Sequence, residues 1–203
     1  MSYERVPGAA RPILFIGDSI TDSGRLDDPP YYLGDGYVRM IAQRLPDGRV
    51  INVGISGNRV VDLRDRWSID VVSQFPDVLS VYVGINDTWR RYDENNATTA
   101  ANFERDYRAC LSELGGAVLL VLMEPFVVPV FPEQEHWHED LDPKRAVVAK
   151  LAAEFEARFV PLQSLMSAAA EEHGAAAIAQ DGVHPTELGH RIIADAWLEA
   201  AGL

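Results

Sequence analysis

The feature that most constrains this chain is a set of short apolar runs with almost no polar alternation. They are Ile13–Ile16, Val50–Val53, Val78–Val83, Val118–Leu122 and Phe159–Leu162, rich in branched and aromatic residues. A strand wet on one face alternates polar with apolar, whereas a strand covered on both faces reads as continuous apolar sequence, as in parallel sheets. Between the runs lie patterns at helical spacing: Tyr37, Ile41, Leu45; then Phe103, Tyr107, Cys110, Leu111, Leu114; then Ala146, Lys150, Leu151, Phe155. Leu188, Ile192, Ile193, Ala196, Trp197 and Ala200 give the C-terminal segment one apolar face, and Thr186 is placed to cap it. Alternating strands and helices predict a three-layer α/β sandwich around a parallel sheet. At 203 residues this is one domain, 1–203, with one sizeable core. Two stretches read as loops: Asp22–Asp35, and Val127–Pro143, which is long enough for a lid, a rim or an interface.

The formal net charge of −13 argues against nucleic acid and anionic membrane surfaces as partners, because both attract Lys and Arg. The longest apolar run, Ala117–Met123, is far too short to span a bilayer. The opening Met1-Ser2-Tyr3-Glu4-Arg5 lacks a basic-then-apolar leader, so a cytoplasmic location is expected. Cys110 is the one cysteine; no internal disulfide forms, and its helical neighbours predict a buried, inert thiol. Self-association into a homo-oligomer is left open.

Successive parallel strands joined by right-handed crossovers point the same way, so the segments after them gather at one sheet edge, where open α/β folds bind ligands. After the first run comes Gly17-Asp18-Ser19-Ile20, after the second Gly54-Ile55-Ser56-Gly57-Asn58, and after the third Gly84-Ile85-Asn86-Asp87; Asp181-Gly182-Val183-His184-Pro185 lies near the C-terminus. Acyl transfer needs a nucleophile, a base, a group that orients the base, and donors for an oxyanion. Ser19 supplies a hydroxyl, His184 can take its proton, and Asp181 can reach the other imidazole nitrogen. The Ser19 and Gly57 amides and the Asn86 side chain can face the oxyanion, with the bare Cα of Gly57 allowing close approach.

Taken in this order, the four segments resemble the four blocks of the SGNH (GDSL-type) hydrolases, and closest the acetylxylan and xylo-oligosaccharide acetylesterases. The matching stretches are Phe15–Asp22, Gly54–Asn58 and the run Gly84-Ile85-Asn86-Asp87-Thr88-Trp89-Arg90-Arg91-Tyr92-Asp93. The resemblance implies a flavodoxin-like five-stranded parallel sheet and a serine esterase without cofactor or metal. It makes Ser19, Asp181 and His184 the catalytic triad, and Ser19, Gly57 and Asn86 the oxyanion hole. The implied substrate is a small-molecule short-chain ester, above all an acetylated sugar. A lysophospholipase- or thioesterase-type acyl hydrolase, or a catalytically silent binding module, stays as the alternative.

Other residues read differently. Trp89, Arg90 and Tyr92 are candidates for substrate contact, since indole faces pack against sugar rings. Asp18 is carried with them, although its first role is to brace the nucleophile loop. Asp87 reads as structural, in an Asx-turn. Ser56 begins a G-x-S-x-G elbow that fails at Asn58. Gly34-Asp35-Gly36 begins a dinucleotide fingerprint that fails at Arg39. His136-Trp137-His138, flanked by acids, reads as an irregular, solvated acidic loop rather than a metal site. Trp67 and Trp197 read as core, and His173 and His190 as surface or packing residues.

Overall fold

A computed structural model describes residues 12–45, 48–115 and 117–203; the opening stretch Met1–Arg5 lies outside them. Five strands form the sheet: β1 (Pro12–Gly17), β2 (Arg49–Asn52), β3 (Val78–Tyr82), β4 (Leu119–Met123) and β5 (Arg158–Val160). All neighbours pair in parallel, in the order β2-β1-β3-β4-β5. This is the flavodoxin-like winding, with its topological switch between β1 and β3. The last run is shorter than expected, because Pro161 has no N–H to give the ladder and Leu162 already opens a helix.

The helices are α1 (Ser19–Asp22), α2 (Tyr37–Arg44), α3 (Val60–Asp70), α4 (Ile85–Asp93), α5 (Ala100–Ser112), α6 (His138–Glu154), α7 (Leu162–His173), α8 (Ala175–Ile178) and α9 (Glu187–Ala201). Continuous apolar strands need cover on both sides, and the helices give it. Ile13 and Phe15 of β1 face a core shared with α2, α7 and α9, including Tyr37, Met166 and Trp197. Leu14 and Ile16 face the opposite core, built with α3, α5 and α6 and including Trp67, Tyr107 and Leu151. Trp67 and Trp197 are both fully buried, and the Trp197 indole donates to Ser80 Oγ at 3.0 Å. Burial pushes the Cys110 thiol up to about 12.

Thr186 caps α9 by accepting from the Gly189 amide at 3.3 Å. His190 is buried as a packing residue, and its Nδ1 accepts from the Tyr37 amide at 3.2 Å, capping α2 from another helix. Burial lowers its imidazole to about 4, which keeps that nitrogen an acceptor. Among the described residues no helix is long and apolar enough to cross a membrane.

The segment Val127–Pro143 is not the irregular, solvated loop its prolines and acids suggest. Pro132–Trp137 forms a 3₁₀ turn, and α6 begins at His138 with Pro143 inside it. Pro132 opens the turn, where a missing N–H costs nothing. Gln134, Trp137 and Leu141 turn inward and are buried. Burying those side chains repays ordering the backbone.

Candidate active site

Ser19 is the first residue of α1, set by a tight exit from β1. A Cβ on Gly17 would lie 2.2 Å from the Tyr82 carbonyl oxygen and 2.4 Å from Thr21 Oγ1, so only glycine lets the chain turn there. Asp18 caps the short helix by accepting from the Ile20 amide at 3.0 Å. It is 1% exposed, which removes it from the substrate-facing set and leaves the brace. Burial pushes its carboxyl up to about 7, against the pull of the Ile20 amide and of His184.

The Asp181–His184 turn lies across from Ser19. Asp181 Oδ1 accepts from the Val183 amide at 3.0 Å and the His184 amide at 2.7 Å, and Oδ2 lies 2.6 Å from His184 Nδ1. Partial burial works to raise the Asp181 carboxyl, but these bonds outweigh it and hold it below the ordinary carboxylate range. An ionised carboxylate can only accept, so Nδ1 carries the proton and Nε2 presents a lone pair. Nε2 lies 2.9 Å from Ser19 Oγ, within reach for taking the hydroxyl proton.

Gly57 and Asn86 approach the same edge. Gly57 has φ +83°, and a Cβ built on it meets only Arg90 Nη2, at 3.9 Å. Conformation, more than crowding, therefore calls for glycine there. Asn86 lies in the first turn of α4, 5% exposed, and its Nδ2 donates to the Asn58 carbonyl at 3.1 Å. Asp87 is structural, but not through an Asx-turn: its Oδ2 accepts from the Val60 amide at 3.0 Å and fixes the start of α3. Burial pushes its carboxyl up to about 7, against the Val60 amide and Lys144. Fully buried Lys144 donates to Thr88 Oγ1 at 3.1 Å and pairs with Asp140, locking α6 to α4.

Trp89, half-buried, lies against His184, with the ring centroids 5.8 Å apart. Trp137 supports it at 5.3 Å and stacks on Tyr92 at 5.5 Å with the planes 10° apart. Tyr92 donates its hydroxyl to the His136 carbonyl at 2.8 Å. Arg90 stands beside Gly57 and pairs with Asp93 and Glu94. Ser56 is no nucleophile elbow; its hydroxyl donates to Asp22 at 2.7 Å.

Two contributors had no visible signal in the sequence. Gln134 is 3% exposed and donates from Nε2 to the Asp181 carbonyl at 2.6 Å, while its Oε1 accepts from the Val130 and Phe131 amides at 2.9 and 3.2 Å. Trp137 sits in the stretch read as solvated acid-rich loop. Both reach the site from positions remote in sequence, where residue type alone carries no clue.

Comparison with known proteins agrees with this arrangement. Residues 15–192 match the model of the GDSL-like lipase/acylhydrolase family. The acetylxylan esterase of Geobacillus stearothermophilus is 37% identical, over 96% of this chain and 95% of its own. A crystal structure of that enzyme superposes with a TM-score of 0.86, covering 97% of this chain and 96% of the other. Its catalytic mutants replace a serine, an aspartate and a histidine, the last two three positions apart as in Asp181 and His184. A Parabacteroides merdae protein described as GDSL-like lipase, 37% identical, superposes at 0.89 with 95% of each chain covered. By sequence along nearly its whole length, and by the winding of its sheet, the chain belongs to the GDSL-like lipase/acylhydrolase family.

Proposed function

We propose that the protein is a serine esterase that removes short acyl groups, chiefly acetyl, from carbohydrates by double displacement. The observation that carries this reading is the relay from Ser19 Oγ to His184 Nε2 at 2.9 Å and from Nδ1 to Asp181 at 2.6 Å. Ser19 attacks the ester carbonyl while His184 takes its proton. Asp181 holds the tautomer and stabilises the imidazolium. The tetrahedral oxyanion faces the Ser19 and Gly57 amides and Asn86 Nδ2. His184 then gives its proton to the departing sugar oxygen, which leaves as the alcohol. Water, activated by the same imidazole, attacks the acyl-enzyme, and release of the acid restores Ser19.

The similarity to an acetylxylan esterase over nearly the whole chain supports the acetylated carbohydrate as substrate. So does the aromatic wall beside His184, where Trp89 offers an indole face to a pyranose and Arg90 and Tyr92 stand close by.

The test compares kcat/KM for acetylated xylosides with that for acetyl, butyryl and octanoyl nitrophenyl esters. Activity falls steeply beyond butyryl, and acetate is released from the sugar. Equal activity on octanoyl esters, or no release from any acetylated sugar, would replace this reading with a lipid or thioester hydrolase. In Ser19→Ala, turnover drops by about 10⁴ or more.

A further inference from the structure

The oxyanion loop 53–59 is held from two sides by side chains that do not themselves reach the reacting atoms. On one side Asp22, the last residue of α1, accepts from both the amide and the hydroxyl of Ser56 through Oδ2, at 3.1 and 2.7 Å. Its Oδ1 accepts from the Arg25 amide at 3.3 Å, and Arg25 Nε donates to the Gly54 carbonyl at 2.6 Å. A Cβ on Gly54 would lie 2.4 Å from the Asp22 amide nitrogen, so the loop and α1 are in backbone contact at this point.

On the other side Arg66 of α3 spends its planar fork on the same loop and on the end of β1. Nε donates to Asn58 Oδ1 at 2.8 Å, Nη1 to the Val53 carbonyl at 2.7 Å, and Nη2 to the Gly17 carbonyl at 3.1 Å. Asp70 pairs with Nη1 at 2.7 Å and fixes the fork in place. Gly57 lies between Ser56 and Asn58, the two residues gripped, and the Asn58 carbonyl is the partner of Asn86 Nδ2.

We propose that Asp22 and Arg66 are positioning residues for the oxyanion donors. Asp22, through Ser56, aims the Gly57 amide. Arg66, through Asn58, aims both Gly57 and Asn86. Because α1 also carries Ser19, the Asp22 grip fixes the donor relative to the nucleophile, the distance that decides transition-state stabilisation. Any side chain keeping this grip must present two separate acceptor oxygens, one to Ser56 and one to Arg25, which a carboxylate does and the single oxygen of a hydroxyl does not.

The proposal rests on Ser19, Gly57 and Asn86 acting as assigned above, and the experiment separates the two. Asp22→Ala, Ser56→Ala, Ser56→Thr, Arg66→Lys and Asn86→Ala are compared with wild type on nitrophenyl acetate. Each is also titrated with phenylboronic acid, which forms a tetrahedral anionic adduct on a reactive serine. Thermal melting checks that each variant is folded. Ser56→Ala lowers kcat by roughly threefold to tenfold, the worth of one hydrogen bond, and Ser56→Thr restores most of it. Asp22→Ala and Arg66→Lys lower kcat by about tenfold to a hundredfold with KM little changed, and boronate affinity weakens in step.

A folded Asp22→Ala or Ser56→Ala with full kcat and boronate affinity, beside an impaired Asn86→Ala, would overturn the clamp alone. A rise in KM at constant kcat would do the same, because it would put Asp22 in ground-state contact with substrate. An Asn86→Ala enzyme with full kcat would overturn the donor assignment and the clamp together. Should Asp22→Ala fail to fold, the exposed Ser56 pair decides the question.

Discussion

Gln134 donates from its side-chain nitrogen to the backbone carbonyl of Asp181 at 2.6 Å, across 47 positions of sequence. A Cβ on Gly182, whose φ is +83°, would come 2.6 Å from Gln134 Oε1, so the amide lies flat against the turn that carries the base. The Val128 amide adds a bond to the Gly182 carbonyl at 2.9 Å. Removing the Gln134 side chain therefore releases the turn rather than the substrate. Gln134→Ala is expected to lower kcat by about tenfold and to lower Tm, since it takes the acceptor from the part-buried Val130 and Phe131 amides. Steady-state kinetics beside a melting curve check this; full kcat in the folded variant would show that the turn holds itself.

Asn86→Ala tests the oxyanion assignment directly. A donor aimed at developing charge acts in the transition state, so kcat falls about 10²–10³ while KM changes little. A KM increase with kcat intact would show that Asn86 binds the ground-state ester.

The aromatic wall separates sugar esters from simple ones. Trp89→Ala harms turnover of an acetylated xyloside more than that of nitrophenyl acetate. Trp137→Leu does the same more weakly, because it removes the support under Trp89 and Tyr92 rather than the contact face. Parallel losses on both substrates would assign these rings to the fold alone.

Asp87 gives a pH signature in stability. Its folded-state carboxyl is raised from 3.8 to about 7, so between those values the folded protein binds more protons than the unfolded chain. Stability from this group is present below about pH 4 and lost as the pH rises through about 7. Asp87→Asn has no such titration, and its side-chain oxygen can still accept from Val60. The difference in Tm between wild type and Asp87→Asn should therefore shift against wild type from pH 5 to pH 8. A difference that is constant with pH would mean Asp87 is ionised throughout.

Much of this was legible in sequence because it is local. Ile13–Ile16 names a strand by itself, and Asp181 and His184 meet within one turn. The parallel sheet with helices on both sides follows once each apolar run is recognised as covered on both faces, while its winding order comes from the family resemblance. What stayed hidden depends on partners far along the chain. Nothing near Asp22 says that its carboxylate grips Ser56, 34 positions on. Nothing near Trp137 says that it will lie flat on Tyr92 rather than in water. The acids and prolines around Trp137 mask three inward side chains, and the buried face of α6 begins with Leu141 and a lysine, Lys144, so apolar spacing alone does not reveal where the helix starts. Asp18 misled for a related reason: adjacency to a nucleophile puts a residue beside the site in sequence, while the tight exit at Gly17 turns its side chain under the floor.

The nucleophile and its base sit 165 positions apart, one behind the first strand and the other before the last helix. During synthesis the serine emerges early and stays inert until nearly the whole chain has followed. Hydrolysis thus begins only when the final turn docks against the finished sheet. A chain still on the ribosome, or one clipped ahead of His184, holds an ordinary hydroxyl, and the onset of turnover marks the docking of that turn.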